Sequence, residues 1–591
     1  MSRQPCTLRG RDGEWRRWPR RRGGEVDVVH MAVRVAASPL LWWWLFGVLR
    51  WSLLKRGDAG RRRRGGFTSS SSISIRTCPA SVTRHSQKAM EPAPTTMAMV
   101  SVLISFVLLV LSFVVPLRRR QKPLNLPAGP KGWPVIGSLH LLAGSLPPHR
   151  ALAALASRHG APLMHLKLGS FHVVVASSAG TARLVLKTHD LAFADRPPAA
   201  WGAIIAYGYK GIVQTPYGSY WRMARKLCAT ELFSPRLVDK FERARMAEMR
   251  ALTRAVFVSG AGGRAAVTVR EHLMSFTMRN ILRMALGERW SSSYGSAEGE
   301  AFRRSLEEGF AVSGTVSNVG EWVPWLAWLD LQGLVGRMKR VHVEFDRFNE
   351  MVLDEHLKDH RRRRAVASDD AAARDLVDVL VQLAEEDDGG QYDQPPDTST
   401  RLTRDGIKAI FQDIISGGTE TTDLPDLAYI DAVLKETMRL HPVGPLLIPH
   451  HAREHTVVAG GYDIPAGARV LVNAWAVGRD PASWPESPEA FRPERFLAGG
   501  SAEGVDVRGA HFQLVPFGAG RRMCPAYNLA MKEMSATLAN LVHGFSWRLP
   551  EGMAAEDVSL EEAMGLSVSL KEPVVAIAEP RLPVHLYAAV E

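Results

Sequence analysis

A stretch near the C-terminus, Pro516 to Ala530 (PFGAGRRMCPAYNLA), sets one cysteine, Cys524, between a glycine-rich turn and an apolar helical run. A thiolate there can ligate iron, provided its charge is supported. Gly518 and Gly520 can take positive φ and let the backbone approach a flat ligand, Arg522 brings a fixed positive charge, and backbone N–H groups turned toward the sulfur would stabilise it. The bland alternative is a buried free cysteine in a Gly-rich turn. Three further constellations carry chemistry. Trp221 and Arg225, at i and i+4, fall on one face of a predicted helix and can together hold a carboxylate. Glu420 and Thr421 set an acid beside a hydroxyl, a pair able to relay protons. Glu436 and Arg439, at i and i+3 in the helical stretch Tyr429 to His441, are followed by a second arginine, Arg495, in FRPERF. Two guanidiniums on one carboxylate make a buried, hydrogen-bonded network.

In that order along the chain, these motifs resemble the cytochrome P-450 monooxygenases. Phe517-x-x-Gly520-x-Arg522-x-Cys524 is similar to their haem-binding signature, with one departure: Ala526 stands where the family usually has glycine. The resemblance implies a mainly α (α+β) fold with a helical haem-binding core and a small β region. It implies a haem cofactor with Cys524 as thiolate ligand, and Phe517 and Arg522 against the haem. Trp221 and Arg225 would lie near the propionates, as would His450, which stands where the family often has a basic residue; Thr421 and Glu420 would deliver protons, and Glu436, Arg439 and Arg495 would lock the core. A haem iron held by cysteine thiolate is pushed toward O–O bond cleavage. The implied partners are an NADPH-cytochrome reductase and a small hydrophobic or phenolic substrate. LKETMRLHPVGPLLIP and FGAGRRMCP resemble plant microsomal members of specialised metabolism. Flavonoid hydroxylation is the expected activity, with oxidative C–C cleavage of a terpenoid alcohol as the alternative.

These motifs need a large folded body to position them, and 591 residues with 46% hydrophobic content can bury one. Four cysteines, Cys6, Cys78, Cys228 and Cys524, give no disulfide framework and suit a reducing compartment. The formal charge of +14 is concentrated in residues 1–96, which hold 19 Lys plus Arg against 6 Asp plus Glu. That prefix, with Arg61 to Arg64 and Ser69 to Ser72, reads as disordered; it resembles a transit peptide, and the favoured alternative is that it lies outside the natural product, with translation beginning at Met90 or Met97. The main body is left near neutrality, so a nucleic-acid partner is not expected. Met97 to Leu117 is an uncharged run of 21 residues, long enough to span a bilayer, and Arg118 to Arg120 follow it. By the positive-inside rule the rest faces the cytosol, so the expected catalytic domain (135–591) follows a single N-terminal anchor, which the resemblance implies lies in the endoplasmic reticulum. Residues 118–134 form a basic, proline-rich hinge.

Farther on, His165 to Leu168 and His172 to Val175 read as a hairpin, and Ser178 to His189 as a helix capped by Ser178. Residues 301–357 carry Phe310, Trp322, Trp325, Trp328, Phe345 and Phe348 and resemble the family's pocket roof, as Gly565-Leu566-Ser567 resembles a loop that touches substrate. Leu402 to Thr422 reads as an amphipathic helix. It meets Pro425 almost at once, and proline cannot continue a helix. By comparison with the family, roughly forty residues are absent after Thr422, so a catalytically dead truncated relative is a further alternative.

Overall fold

The structure is a computed structural model that describes residues 101, 102, 105, 123–234, 239–292, 297–314, 318–366, 375–389, 402–417 and 428–588. The prefix, the apolar run 97–117 apart from residues 101, 102 and 105, and Glu420 and Thr421 with the junction at Thr422 lie outside the described residues. Among the described residues no helix is long and apolar enough to cross a membrane. The cysteine loop and the helices that face it belong to the compact unit Val114–Glu591.

Helices dominate, and one of them sets the plan. Arg404–Gly417 buries Ile407, Ala409, Ile410, Phe411, Ile414 and Ile415, together with Lys408 and Gln412. Burial so nearly all round marks a helix enclosed by its neighbours rather than one lying on a surface. It is enclosed by Val269–Leu286, Ala297–Val312, Leu334–Val366 and Leu376–Gly389, whose apolar residues share one cluster with it. The sequence-based helix 402–422 is thus seen through Gly417.

The β region is small. Leu163–Leu168 and Phe171–Ala176 form an antiparallel hairpin, each strand slightly longer than its alternation suggests. Phe171–Ala176 continues parallel to Arg469–Val472, which pairs antiparallel with His450–His451. Both faces of this sheet are covered: Val173 and Val175 enter one cluster, Val174 and Ala176 another. Four consecutive aliphatic-to-small residues are what a strand buried on both faces requires. Ser178 caps Ala179–Arg183, accepting from the Thr181 N–H. The expected continuation to His189 then widens into a π-turn over Leu184–Thr188, and π-turns gather at functional sites.

The Glu436 network forms as the spacing implies. Glu436 and Arg439, on helix Ala428–Leu440, are fully buried. Arg439 donates to both Glu436 oxygens at 2.7 and 2.8 Å. The Arg492 backbone N–H donates to Glu436 at 2.7 Å and Arg495 Nε at 3.1 Å. Arg439 also donates to the carbonyls of Gly478, Pro488 and Ala490. Burial pushes the Glu436 carboxyl up, but these donors and charges together hold it below its ordinary value. The network thereby ties helix Ala428–Leu440 to the segment leading into the cysteine loop.

Candidate functional site

Cys524 sits at the mouth of helix Tyr527–Gly544, facing a cavity of about 410 Å³. Its loop is tightly hydrogen-bonded. The Cys524 N–H donates to the Phe517 carbonyl at 3.0 Å and the Gly518 N–H to Val515 at 3.0 Å. Gly518 and Gly520 have φ of 70° and 66°, as expected. The reason at Gly520 is different from the expected one. A Cβ there would lie 2.0 Å from the Leu186 carbonyl oxygen, so this glycine admits a neighbouring stretch of protein, the π-turn, rather than a flat ligand. Ala526 occupies the N-cap with φ of −97°, a conformation any residue adopts, so its methyl strains nothing in the backbone.

Burial raises the Cys524 thiol, while the Ala526 N–H and the Arg225 charge pull it down. A half-buried thiol raised in this way needs a cation to become a thiolate, and iron would supply one.

Trp221 and Arg225 reach the same cavity from helix Ser219–Leu227. The Trp221 indole N–H is buried without a partner. Among the described residues Arg225 makes no hydrogen bond or ion pair, and burial lowers its pKa. Two cationic or N–H donors, one turn apart and unengaged beside a cysteine, fit a carboxylate-bearing ligand; buried donors are otherwise nearly always paired.

Arg522 also borders the cavity, its guanidinium 4.3 Å from the Trp221 ring. It donates to the carbonyls of Ala194 at 2.7 Å, Ile212 at 3.4 Å and Thr215 at 2.7 Å. Burial pulls its pKa to about 10, so it stays charged at neutral pH. His450 lines the cavity too, but not as the basic contact expected from the sequence. Burial, then the charges of Arg196 and Arg522, lowers it to about 3, and its Nδ1 pairs with the Phe193 carbonyl. A neutral imidazole results. Phe517 borders the same space.

Two participants carry no signal in the sequence. Arg196, buried beside His450, donates to the carbonyls of Val213, Ile448 and Pro449 at 3.1, 2.8 and 2.9 Å. Asp413, on the central helix, accepts from the N–H groups of Ile212 and Val213 at 2.7 and 3.1 Å. Burial raises its carboxyl to about 6. Nothing in the spacing marks either residue, because their partners are backbone groups of an irregular loop.

Much of the remaining cavity wall is apolar: Leu306, Phe310 and Phe345 from two long helices, with Val443, Leu447 and Leu566. Of the aromatics in 301–357, Trp322 and Phe348 belong instead to the core, and Trp325 and Trp328 are exposed. Leu566 is held in place by its N–H, which donates to the Phe310 carbonyl at 2.9 Å.

A cysteine in a glycine loop, an open ring of buried donors and apolar walls together define a haem-thiolate site. The sequence profile of the cytochrome P450 family matches residues 127–423 and 422–574, two stretches that meet at residues 422–423, beyond the described end of the central helix. The chain belongs to the cytochrome P450 family, and haem with a thiolate ligand is its cofactor. It is 64% identical over 528 positions to a trimethyltridecatetraene synthase of Zea mays, covering 82% of this chain and 94% of that one. It is 60% identical to a dimethylnonatriene synthase of Zea mays (84% and 99% covered) and 37% identical to a flavonoid 3'-monooxygenase of Petunia hybrida (79% and 95% covered). A solved zebrafish cytochrome P450 shares the fold with a TM-score of 0.57 at 24% identity, over 74% of this chain and all of that one. The chain is therefore a plant-type P450 monooxygenase.

Proposed function

We propose that this P450 carries out oxidative C–C cleavage of a terpenoid alcohol, releasing an acyclic polyene, rather than the flavonoid hydroxylation expected from the sequence. The observation that carries this reading is the likeness to the two Zea mays synthases, at 64% and 60% against 37% for the flavonoid enzyme. Their names describe acyclic hydrocarbons of sixteen and eleven carbons, each four carbons short of a whole number of isoprene units, which is the count that cleavage of a twenty- or fifteen-carbon alcohol would give. The pocket supports the same reading. Leu306, Phe310, Phe345 and Leu566 suit an alkenyl chain. Two polar side chains on the wall are engaged elsewhere: Gln412 with Asn349 and the Ile205 carbonyl, Asp413 with two backbone N–H groups.

When bound, haem supplies oxygen activation. This chain's residues would hold it and exclude water: Cys524 as iron ligand and Trp221 and Arg225 as donors to a propionate, with Arg522, Phe517 and the neutral His450 lining the same cavity. Thr421 and Glu420 deliver protons. Electrons come from an NADPH-dependent reductase at the endoplasmic-reticulum membrane. The apolar run 97–117 anchors the chain there, and the exposed Trp325, Trp328, Leu329 and Leu331 of one short segment suit the lipid interface.

We also propose that a segment of the family is absent after Thr422. The 528 aligned positions with the first relative compare with about 485 residues in 82% of this chain, so some forty positions face no residue here. The family profile breaks at the same place. Sequencing the transcript across Thr422 to Asp426 tests this: a continuous junction supports the absence, and an intervening coding segment overturns it. The activity is tested in microsomes carrying the chain and a reductase, offered fifteen- and twenty-carbon terpenoid alcohols and a flavonoid. Release of a hydrocarbon four carbons shorter is expected; hydroxylated flavonoid alone would overturn the reading.

A further inference from the structure

We propose that Asp413 is a positioning residue for the haem propionates, acting on two arginines through the loop between them. One carboxylate oxygen, Oδ2, accepts from the N–H groups of both Ile212 and Val213, at 2.7 and 3.1 Å. The carbonyls of those same two residues accept from Arg522 Nη1 at 3.4 Å and Arg196 Nε at 3.1 Å. Each of the two residues is thus bonded through both its backbone groups, to a carboxylate on one side and a guanidinium on the other. Groups bonded in such a chain polarise one another, and the strain of moving one end is felt at the other.

The loop is fixed at a second point by the preceding residue of the central helix. Gln412 Nε2 donates to the Ile205 carbonyl at 3.2 Å, and its Oε1 accepts from Asn349 at 2.8 Å. Consecutive residues of the central helix therefore hold two points of the loop, Ile205 and Ile212–Val213. Gly211 has no side chain to spare: a Cβ there would lie 2.3 Å from the Asp413 carboxylate.

Each guanidinium retains N–H donors after its loop bonds. A guanidinium has five, and Arg196 uses Nε and Nη1 on three carbonyls, leaving Nη2. Both arginines border the cavity that holds Cys524, as does Arg225. The central helix thereby sets the aim of donors on the far side of a loop that it does not itself join. This rests on the reading that the cavity's donors face propionates.

The test uses the full chain prepared haem-free, titrated with haemin and, separately, with haemin dimethyl ester, whose propionates are blocked. Binding is followed by quenching of tryptophan fluorescence. The parent chain should prefer haemin to the ester. In Asp413→Ala that preference should fall by about tenfold or more, the scale of a lost charge-assisted contact, while affinity for the ester stays within about twofold. Asp413→Asn retains one acceptor oxygen and should restore most of the preference. Hydrogen exchange in residues 205–217 should rise in Asp413→Ala alone. An equal loss for haemin and ester, or an unchanged preference with a loosened loop, would overturn the positioning role while leaving the haem site standing. A parent chain with no preference for haemin over the ester would overturn the propionate reading, and the proposal with it.

Discussion

Glu436 and Trp221 both lie among buried arginines, yet their surroundings differ in what is left over. Around Glu436 the two arginines, one backbone N–H and five carbonyls engage one another, and the carboxylate is fully buried with its partners. Around Trp221 the indole N–H has no partner and Arg225 is unengaged among the described residues, although Arg196 and Arg522 are tied to carbonyls. A closed network of buried charge holds a fold together. An open one, with donors in excess beside a cysteine, fits a carboxylate-bearing ligand.

That contrast can be broken most severely at Glu436. Glu436→Ala leaves Arg439 buried without its counter-charge, a loss of about 3–5 kcal/mol. The haem-free protein should then fail to fold, seen as loss of its cooperative thermal transition, and a variant that melts like the parent would deny the network its structural role. On the other side of the comparison, Arg225→Gln should leave the thermal transition of the haem-free protein within about 0.5 kcal/mol, the usual range for substitutions that break no internal partner. Haemin affinity should drop by about tenfold or more. Trp221→Phe keeps an aromatic ring and deletes the N–H, for a loss of about 1 kcal/mol in haemin binding. Were either substitution to destabilise the haem-free fold as Glu436→Ala does, the distinction between open and closed networks would collapse.

The smallest effect is on pH. His450 is depressed from 6.5 to about 3, chiefly by burial and then by Arg196 and Arg522. The folded state refuses a proton that the unfolded chain binds, so this contribution to stability is complete above about 6.5 and is lost as pH falls toward 3. His149, depressed to about 4 by burial, acts in the same direction. Glu436, held below its ordinary value, adds nothing in the upper part of that window. Asp413, raised to about 6 by burial, and Glu533, raised to about 8 by burial, act in the opposite direction over this window, so the test is a difference: between pH 6.5 and 4 the thermal midpoint of the haem-free parent should lose more, or gain less, than that of His450→Gln. An unchanged slope would mean that His450 is not the buried neutral group described.

How far the sequence alone reaches is decided by the same line between local and distant partners. Cys524 and its glycines, Trp221 with Arg225, and Glu436 with Arg439 are all legible because their spacing is that of one turn or one loop. Arg495 is legible from its motif. Arg196 and Asp413 are not, because each works through backbone groups of the loop 205–217, and no periodicity records which carbonyl a distant arginine will meet. His450 reads as basic because residue type carries no information on burial, and burial decides its charge. At Gly520 the conformation follows from the sequence and its cause does not: the Leu186 carbonyl that excludes a Cβ is 334 residues away along the chain. The π-turn over Leu184–Thr188 is likewise hidden, since the local pattern is that of an ordinary helix.

The central claim is that Cys524 and the open ring of donors facing it hold a haem through a thiolate. The reduced, carbon-monoxide-bound difference spectrum of the expressed chain tests it directly, with Cys524→Ser alongside. A Soret band red-shifted as thiolate ligation requires, absent in Cys524→Ser, is the predicted result. No such band from the parent chain with protein present, or the same band from Cys524→Ser, would contradict it.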